Sequence, residues 1–405
     1  MKLLILTLTI FLFFLGGLSK DIEEDLDTIQ TIEHYGYQAE RHYVQTPEGY
    51  INEIHRIPYG RDTRQINGCE KKRPVLFMMH GLFVTSWEFV LNLPSQSPAY
   101  VFADAGFDVW LGNVRGTTYG KNHTHLSPND HQFWNFSLYD HAHSDLRTQI
   151  EYVLEQTDQE SLFFIGHSQG TAVMFARLAE ADKSWQKKIR TFFAWGPTAG
   201  FVQPDIFFKL LEIGQIQRLA EFVLDGRFGV LPLDLPRSLL SAVARICGER
   251  FLTHACVMGF FLPQGLEKLG QLNETRVPIM IKHFPDTTST LNILHWAQLF
   301  KYHELRQLDF GKKRNLQVYG QAEAPKLDIA NIETPTHLYY SKDDHVTDAT
   351  DVNKIIIKNM GPALKKSVSL DHFSHYDYAA GLRANDEVYK PIVYDMYEDI
   401  EKNGC

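Results

Sequence analysis

The pentapeptide Gly166-His167-Ser168-Gln169-Gly170 constrains this chain more than any other feature. An apolar run, Leu162-Phe163-Phe164-Ile165, leads into it, and a small-residue run compatible with a helix, Thr171 to Glu180, leads out. The order strand, tight turn, helix sets a serine on a sharp bend with its hydroxyl exposed, and the flanking glycines remove Cβ atoms that would collide. Without those flanks the same five letters mark many ordinary turns, so the context carries the signal.

A serine hydroxyl is a poor nucleophile at neutral pH. It needs a base within hydrogen-bond reach, and the base needs an acid to hold its tautomer. In a sheet of alternating strands and helices these partners follow in the order serine, acid, histidine, each past the C-terminal end of a strand. Thr336–Tyr340 reads as such a strand and is followed by Ser341-Lys342-Asp343-Asp344. Asp344 is the first choice of acid and Asp343 the second; Asp348 and Asp351 read as helix-start residues. Val368 and Leu370 mark a further strand, with His372-Phe373-Ser374-His375 after it. His375 is the favoured base and His372 the alternative. With 18 histidines in the chain, position and not residue type makes that argument. The apolar run Val75–Met79 enters His80-Gly81-Leu82-Phe83, so the backbone N–H groups of Leu82 and Gln169 are the expected donors to a developing oxyanion.

Val75–Met79 is apolar throughout, as a strand buried on both faces of a parallel sheet is, and Phe107–Leu111, Leu162–Ile165, Phe192–Trp195 and Thr336–Tyr340 are further strand candidates. Tyr43–Thr46 and Pro47–Ile51 read as two strands across a turn. Leu138, Ala142, Leu146, Ile150, Val153 and Leu154 recur at helical spacing. The alternation predicts a doubly wound, mostly parallel α/β sheet with helices on both faces. Residues 206–325 break it: an apolar, helix-leaning stretch from Ile206 to Leu231, prolines 232 and 236, and an expected helix at Leu291–Phe300 read as a helical insertion. Most of its apolar residues read as the insertion's own buried core, with a minority around Phe222–Leu235 left outside it.

Lys2 precedes an uncharged, mostly apolar run from Leu3 to Leu15, with small residues at Gly17 and Ser19. This reads as a signal peptide cut after Ser19, its apolar part being shorter than the ~20 residues of a spanning helix. The expected division is therefore a signal peptide over 1–19, core over 20–205, a helical insertion over 206–325, and core again over 326–405. No later segment reads as membrane-spanning. The sequons at Asn122, Asn135 and Asn273 agree with a secretory route. Cys247 and Cys256 read as a local disulfide or as two buried thiols, and Cys69 and Cys405 as lone. No C-x-x-C pattern points to a metal. A formal net charge of -9 with no basic block argues against a nucleic-acid partner. No pattern fixes the oligomeric state.

Taken together, these residues resemble the acid lipases of the α/β-hydrolase superfamily, the group of lysosomal acid lipase and gastric lipase. The resemblance runs from Tyr43 through Gly49-Tyr50 and His80-Gly81-Leu82, then Asp108-Val109-Trp110-Leu111-Gly112-Asn113-Val114-Arg115-Gly116, Ser127-Pro128 and Phe133-Trp134. It continues through Gly166–Gly170, the stretch from Asp344 to Val352, and His375-Tyr376-Asp377. It implies the α/β-hydrolase fold, Ser168 as nucleophile, Asp344 as acid, His375 as base, Leu82 and Gln169 as oxyanion donors, and a disulfide between Cys247 and Cys256. It also implies a glycan at Asn273, a helical cap and lid over 206–325 whose lid, around Phe222–Leu235, exposes apolar residues to a lipid–water interface, no metal or cofactor, a neutral lipid ester as substrate, and a lysosomal or secreted address. One departure is visible: many members have glycines before the acid, where this chain has Ser341-Lys342-Asp343. Two rival readings are an enzyme for soluble esters or acyl transfer, and a lipid carrier without chemistry.

Overall fold

Runs that are apolar at every position place one side chain in two on each face of a sheet, so both faces must be covered. The computed structural model describes residues 22–62, 65–69, 72–202, 237–248, 252–253, 256 and 271–405. Among these, nine strands form one sheet: β1 (Glu40–Gln45), β2 (Tyr50–Ile57), β3 (Val75–Met79), β4 (Asp108–Gly112), β5 (Asn122–His123), β6 (Leu162–His167), β7 (Ile189–Trp195), β8 (Thr336–Ser341) and β9 (Leu364–Leu370). Their order is β1-β2-β4-β3-β6-β7-β8-β9, with β5 also paired to β2. The pairings of β2 are antiparallel, and those from β4 to β9 are parallel. The sheet is thus the mostly parallel α/β sheet that the sequence predicts.

Alternation divides the core. Leu76, Met78, Phe163, Ile165, Phe193 and Trp195 face one side, where they meet residues of α1 (Pro98–Asp104) and the C-terminal helix Lys390–Asn403. Phe77, Met79, Phe164, Phe192 and Ala194 face the other, against α2 (Arg147–Thr157) and α3 (Gln169–Glu180). Because β3 lies between β4 and β6, the chain winds one way to β4 and the other way from β6 to β9. Ligand crevices in such sheets lie beyond the carboxyl ends of the strands, at this reversal.

Two elements differ from expectation. The helix expected over 138–154 carries a π-helical turn, His141–Leu146, just before α2. The turn holds Asp145, fully buried, whose carboxylate accepts from Arg115 Nε at 2.8 Å and from the Arg115 backbone N–H at 3.0 Å. The reading of Cys69 and Cys405 as lone is corrected: they form a disulfide, as Cys247 and Cys256 do. A separation of 336 residues hides the first pair from sequence. Arg190 on β7 brings the chain end there, donating to the carbonyls of Gly404 and Cys405.

Between β7 and β8 the described helices include α4 (Arg237–Gly248), α5 (Val277–His283) and α6 (Thr290–Tyr302), the last covering the helix expected at Leu291–Phe300. The residues assigned to a lid, Phe222–Leu235, and those assigned to a signal peptide lie outside the described set. Among the described residues, no helix is long and apolar enough to cross a membrane. Of the sequon asparagines, Asn122 and Asn135 are exposed, while Asn273 is half-buried and donates its amide to Gln96 Oε1 at 3.0 Å.

Candidate active site

β6 ends at His167, and Ser168 makes the bend before α3 with φ 52° and ψ -115°. A non-glycine residue adopts this region only where its surroundings hold it. The glycines at either side explain the hold. A Cβ on Gly170 would lie 2.2 Å from the carbonyl oxygen of Met79 at the end of β3, and one on Gly166 would lie 2.8 Å from the backbone of Gly170. The bend therefore packs directly under the end of the neighbouring strand.

Gln169 is the first residue of α3, so its N–H has no acceptor within the helix and lies at the positive end of the helix dipole. Its side chain is held elsewhere: Oε1 accepts from Asn292 Nδ2 and Trp296 Nε1 of α6, each at 2.9 Å. The loop after β3 crosses the same bend, since a Cβ on Gly81 would lie 3.3 Å from Ser168 Cβ. Among the described residues, the N–H of Leu82 has no hydrogen-bond acceptor.

Past β8 and β9 the two acids face different histidines. His375 Nδ1 contacts Asp344 Oδ2 at 2.9 Å and Oδ1 at 3.1 Å, and the two side chains are 7% and 0% exposed. Asp343 takes the other histidine, accepting from the His372 backbone N–H at 2.9 Å and meeting His372 Nδ1 at 3.2 Å, with side chains 27% and 40% exposed. Asp344 also accepts from the N–H groups of Val346 and Thr347 and from the Thr347 hydroxyl. Burial alone would raise its carboxyl, but the charge of His375 and these hydrogen bonds hold it below the usual carboxylate range. A carboxylate against Nδ1 makes that nitrogen the donor and leaves Nε2 to accept a proton.

Gly196, directly after β7, joins the two halves. Its Cα faces the pair so closely that a Cβ would lie 3.1 Å from the His375 ring and 3.3 Å from Asp344 Oδ2. On the other side Ser168 N–H donates to the carbonyl of Trp195 at 2.9 Å. Ser168, Asp344, His375, Leu82 and Gln169 thus all lie at the carboxyl edge of the sheet, around the reversal between β3 and β6.

Two polar side chains at this edge escape the sequence reading. Glu88, 1% exposed, accepts from the Gly81 N–H through Oε2 at 3.0 Å and contacts His167 Nδ1 through Oε1. His167, equally buried, contacts the carbonyl oxygen of His375 through Nε2 at 2.8 Å. An acid inside the apolar run Trp87-Glu88-Phe89-Val90-Leu91 was the available signal, because a charge in such a run requires a buried partner.

Comparison with known proteins decides the family. The family model described as "alpha/beta hydrolase fold" matches residues 74–379, and that described as "Partial alpha/beta-hydrolase lipase region" matches residues 28–93. The chain belongs to the α/β-hydrolase lipases. It is 38% identical to the lipase lipl-1 of Caenorhabditis elegans over 95% of this chain and 94% of that one. It is 32% identical to the gastric triacylglycerol lipase of Mus musculus, with 94% of both chains covered. It is 33% identical to the lysosomal acid lipase/cholesteryl ester hydrolase of Rattus norvegicus, over 92% of this chain and 91% of that one. A solved putative lipase from Sulfolobus solfataricus shares the fold, with a TM-score of 0.54 at 14% identity over 89% of this chain and 99% of that one. As a member of this lipase family the protein is a serine ester hydrolase.

Proposed function

We propose that this lipase cleaves neutral lipid esters, triacylglycerols or cholesteryl esters, to free fatty acids in lipid catabolism. Ser168 Oγ attacks the ester carbonyl carbon while His375 Nε2 takes the hydroxyl proton. The N–H groups of Leu82 and Gln169 hold the oxyanion. The bond to the alcohol oxygen breaks, and the alcohol leaves with the proton from His375. Water then gives a proton to His375 and attacks the acyl-enzyme, releasing the fatty acid and restoring Ser168. Asp344 stays ionised and stabilises the imidazolium. Ester, water and these groups account for every proton in the cycle.

The observation that carries this reading is the buried Asp344–His375 pair set against Gly196, beside the bend that holds Ser168. The choice of ester draws on the relatives, whose names specify triacylglycerol and cholesteryl ester. A cap with a lid over 206–325 is the route to a lipid–water interface. The apolar N-terminus as a signal peptide, glycans at Asn122, Asn135 and Asn273, and two disulfides fit a secretory route to the lysosome or the exterior.

The test uses the purified glycoprotein on emulsified triacylglycerol, cholesteryl ester and a short soluble ester. Emulsified substrate is expected to be preferred, and Ser168→Ala to lose hydrolysis by a factor on the order of 10⁶ while folding normally. Retained activity in that variant, or a strong preference for the soluble ester, overturns the proposal.

A further inference from the structure

We propose that Glu88 and His167 are positioning residues that share one proton and clamp the oxyanion loop, the nucleophile and the base loop to one another. The inference rests on the reading of Ser168 and His375 as nucleophile and base. Its geometry begins with His167, whose backbone is continuous with Ser168. A carbonyl oxygen only accepts, so the 2.8 Å contact to the His375 carbonyl requires a proton on His167 Nε2. Glu88 Oε2 is engaged by the Gly81 N–H at 3.0 Å. What remains is the contact between His167 Nδ1 and Glu88 Oε1. Without a proton there, two lone pairs would face each other in a site closed to water.

With that proton, the pair ties three segments together: the loop after β3 through Gly81, the residue next to Leu82; the end of β6 through His167; and the loop after β9 through the His375 carbonyl. The rings of His167 and His375 are 4.9 Å apart. The titratable groups around the pair do not compete for its proton. His80, on the β3 loop, gives Nδ1 to the Gly81 carbonyl, and burial holds it below the ordinary histidine value. Asp344 is engaged by His375. Tyr376, Tyr378 and Tyr389 are pushed well above the phenol range by burial, and Asp377, raised by burial to about 6, accepts from the Ser374 N–H.

Burial works against a charge on His167, but the Glu88 carboxylate and its hydrogen bond outweigh it and raise His167 above its ordinary value. A raised folded value means that the clamp is fully protonated below the unfolded histidine value of about 6.5 and loses its proton as pH rises through the folded value. The clamp is therefore closed in acid and releases as the pH rises through the folded value, on the alkaline side of the ordinary histidine one.

The experiment compares Glu88→Ala and Glu88→Gln in the full-length glycoprotein. A glutamine of the same shape donates its amide to His167 Nδ1 and accepts from Gly81 N–H, with no proton to lose. Glu88→Ala is expected to lower kcat about tenfold to a hundredfold, with KM unchanged, by letting the site drift. Glu88→Gln is expected to restore most of kcat and to lack the alkaline fall of the wild type, and its melting temperature is expected to stay flat over that range. Wild-type kcat in folded Glu88→Ala, a wild type without an alkaline fall, or an unchanged alkaline limb in Glu88→Gln overturns the clamp. If Glu88→Ala does not fold, the Glu88→Gln profile decides. Activity surviving Ser168→Ala would instead remove the hydrolase reading, while the melting comparison would still judge the clamp.

Discussion

Gly170→Ala tests how tightly the nucleophile is set against its neighbour strand. The added methyl would sit 2.2 Å from the Met79 carbonyl oxygen, 2.9 Å from the Met79 carbonyl carbon and 3.0 Å from the His80 carbonyl oxygen. Carbon–oxygen contacts settle at about 3.3 Å, so the methyl is about 1 Å too close. The obstacle cannot swing aside, because Met79 is backbone locked in register with Gly112 on β4 and Gly166 on β6. The bend itself must retreat by about 1 Å, and a displacement of that size at reacting groups costs about 100-fold in rate. Overpacking a close-packed site also lowers stability by about 1–3 kcal/mol. Both are measurable: kcat on a short soluble ester, which avoids interfacial adsorption, and the urea midpoint. Gly248→Ala is the control, since among the described residues its methyl would meet only Pro278 Cγ, at 3.7 Å at the end of a helix, and it is expected to be neutral or stabilising by up to about 1 kcal/mol. Wild-type kcat and midpoint in Gly170→Ala would refute the packing argument.

His375→Ala is expected to abolish ester hydrolysis while His372→Ala keeps most of it, because only the first histidine belongs to the buried pair; equal losses in kcat would contradict that division. Asp145→Ala leaves the Arg115 guanidinium, 2% exposed, with only the half-exposed Glu48 carboxylate at 3.3 Å, and is expected to cost a large part of the about 3–5 kcal/mol of a broken buried pair, read as a fall in the denaturation midpoint. Asp344 is held below its ordinary value of about 3.9, so its contribution to stability is complete above that value and is lost as pH falls through the folded one. Urea midpoints measured from pH 6 down to pH 3 are expected to fall more steeply for the wild type than for Asp344→Asn.

Much of this architecture is legible in sequence because the determinants are local. Five residues in a row without polarity give a strand covered on both faces, and a glycine on each side of a serine gives a bend. What escapes depends on distance. Asp343 and Asp344 are adjacent on one turn, and their spacing from the strand does not by itself separate them. The structure does so by burying one against His375 and leaving the other with His372 at the surface. The long run from Asp108 to Gly116 reads as a family signature, yet its polar members are structural. Asp108 holds Arg56 by two hydrogen bonds, of 2.8 Å and 2.7 Å, and Arg115 holds Asp145. Glu88 and His167 are far apart in sequence, and the pentapeptide draws attention to its serine and glycines instead of its histidine. The π-helical turn is invisible to a count of three- and four-residue spacings, because one inserted residue shifts the register only for a turn.

The bridge from Cys69 to Cys405 closes nearly the whole described molecule into a covalent ring. A protease that nicks any exposed point inside that ring makes two polypeptides but no free fragment. Such a nicked form would migrate as a single species on a denaturing gel until a thiol reductant is added. Cleavage of this lipase and its dismantling are therefore separate events, with reduction standing between them.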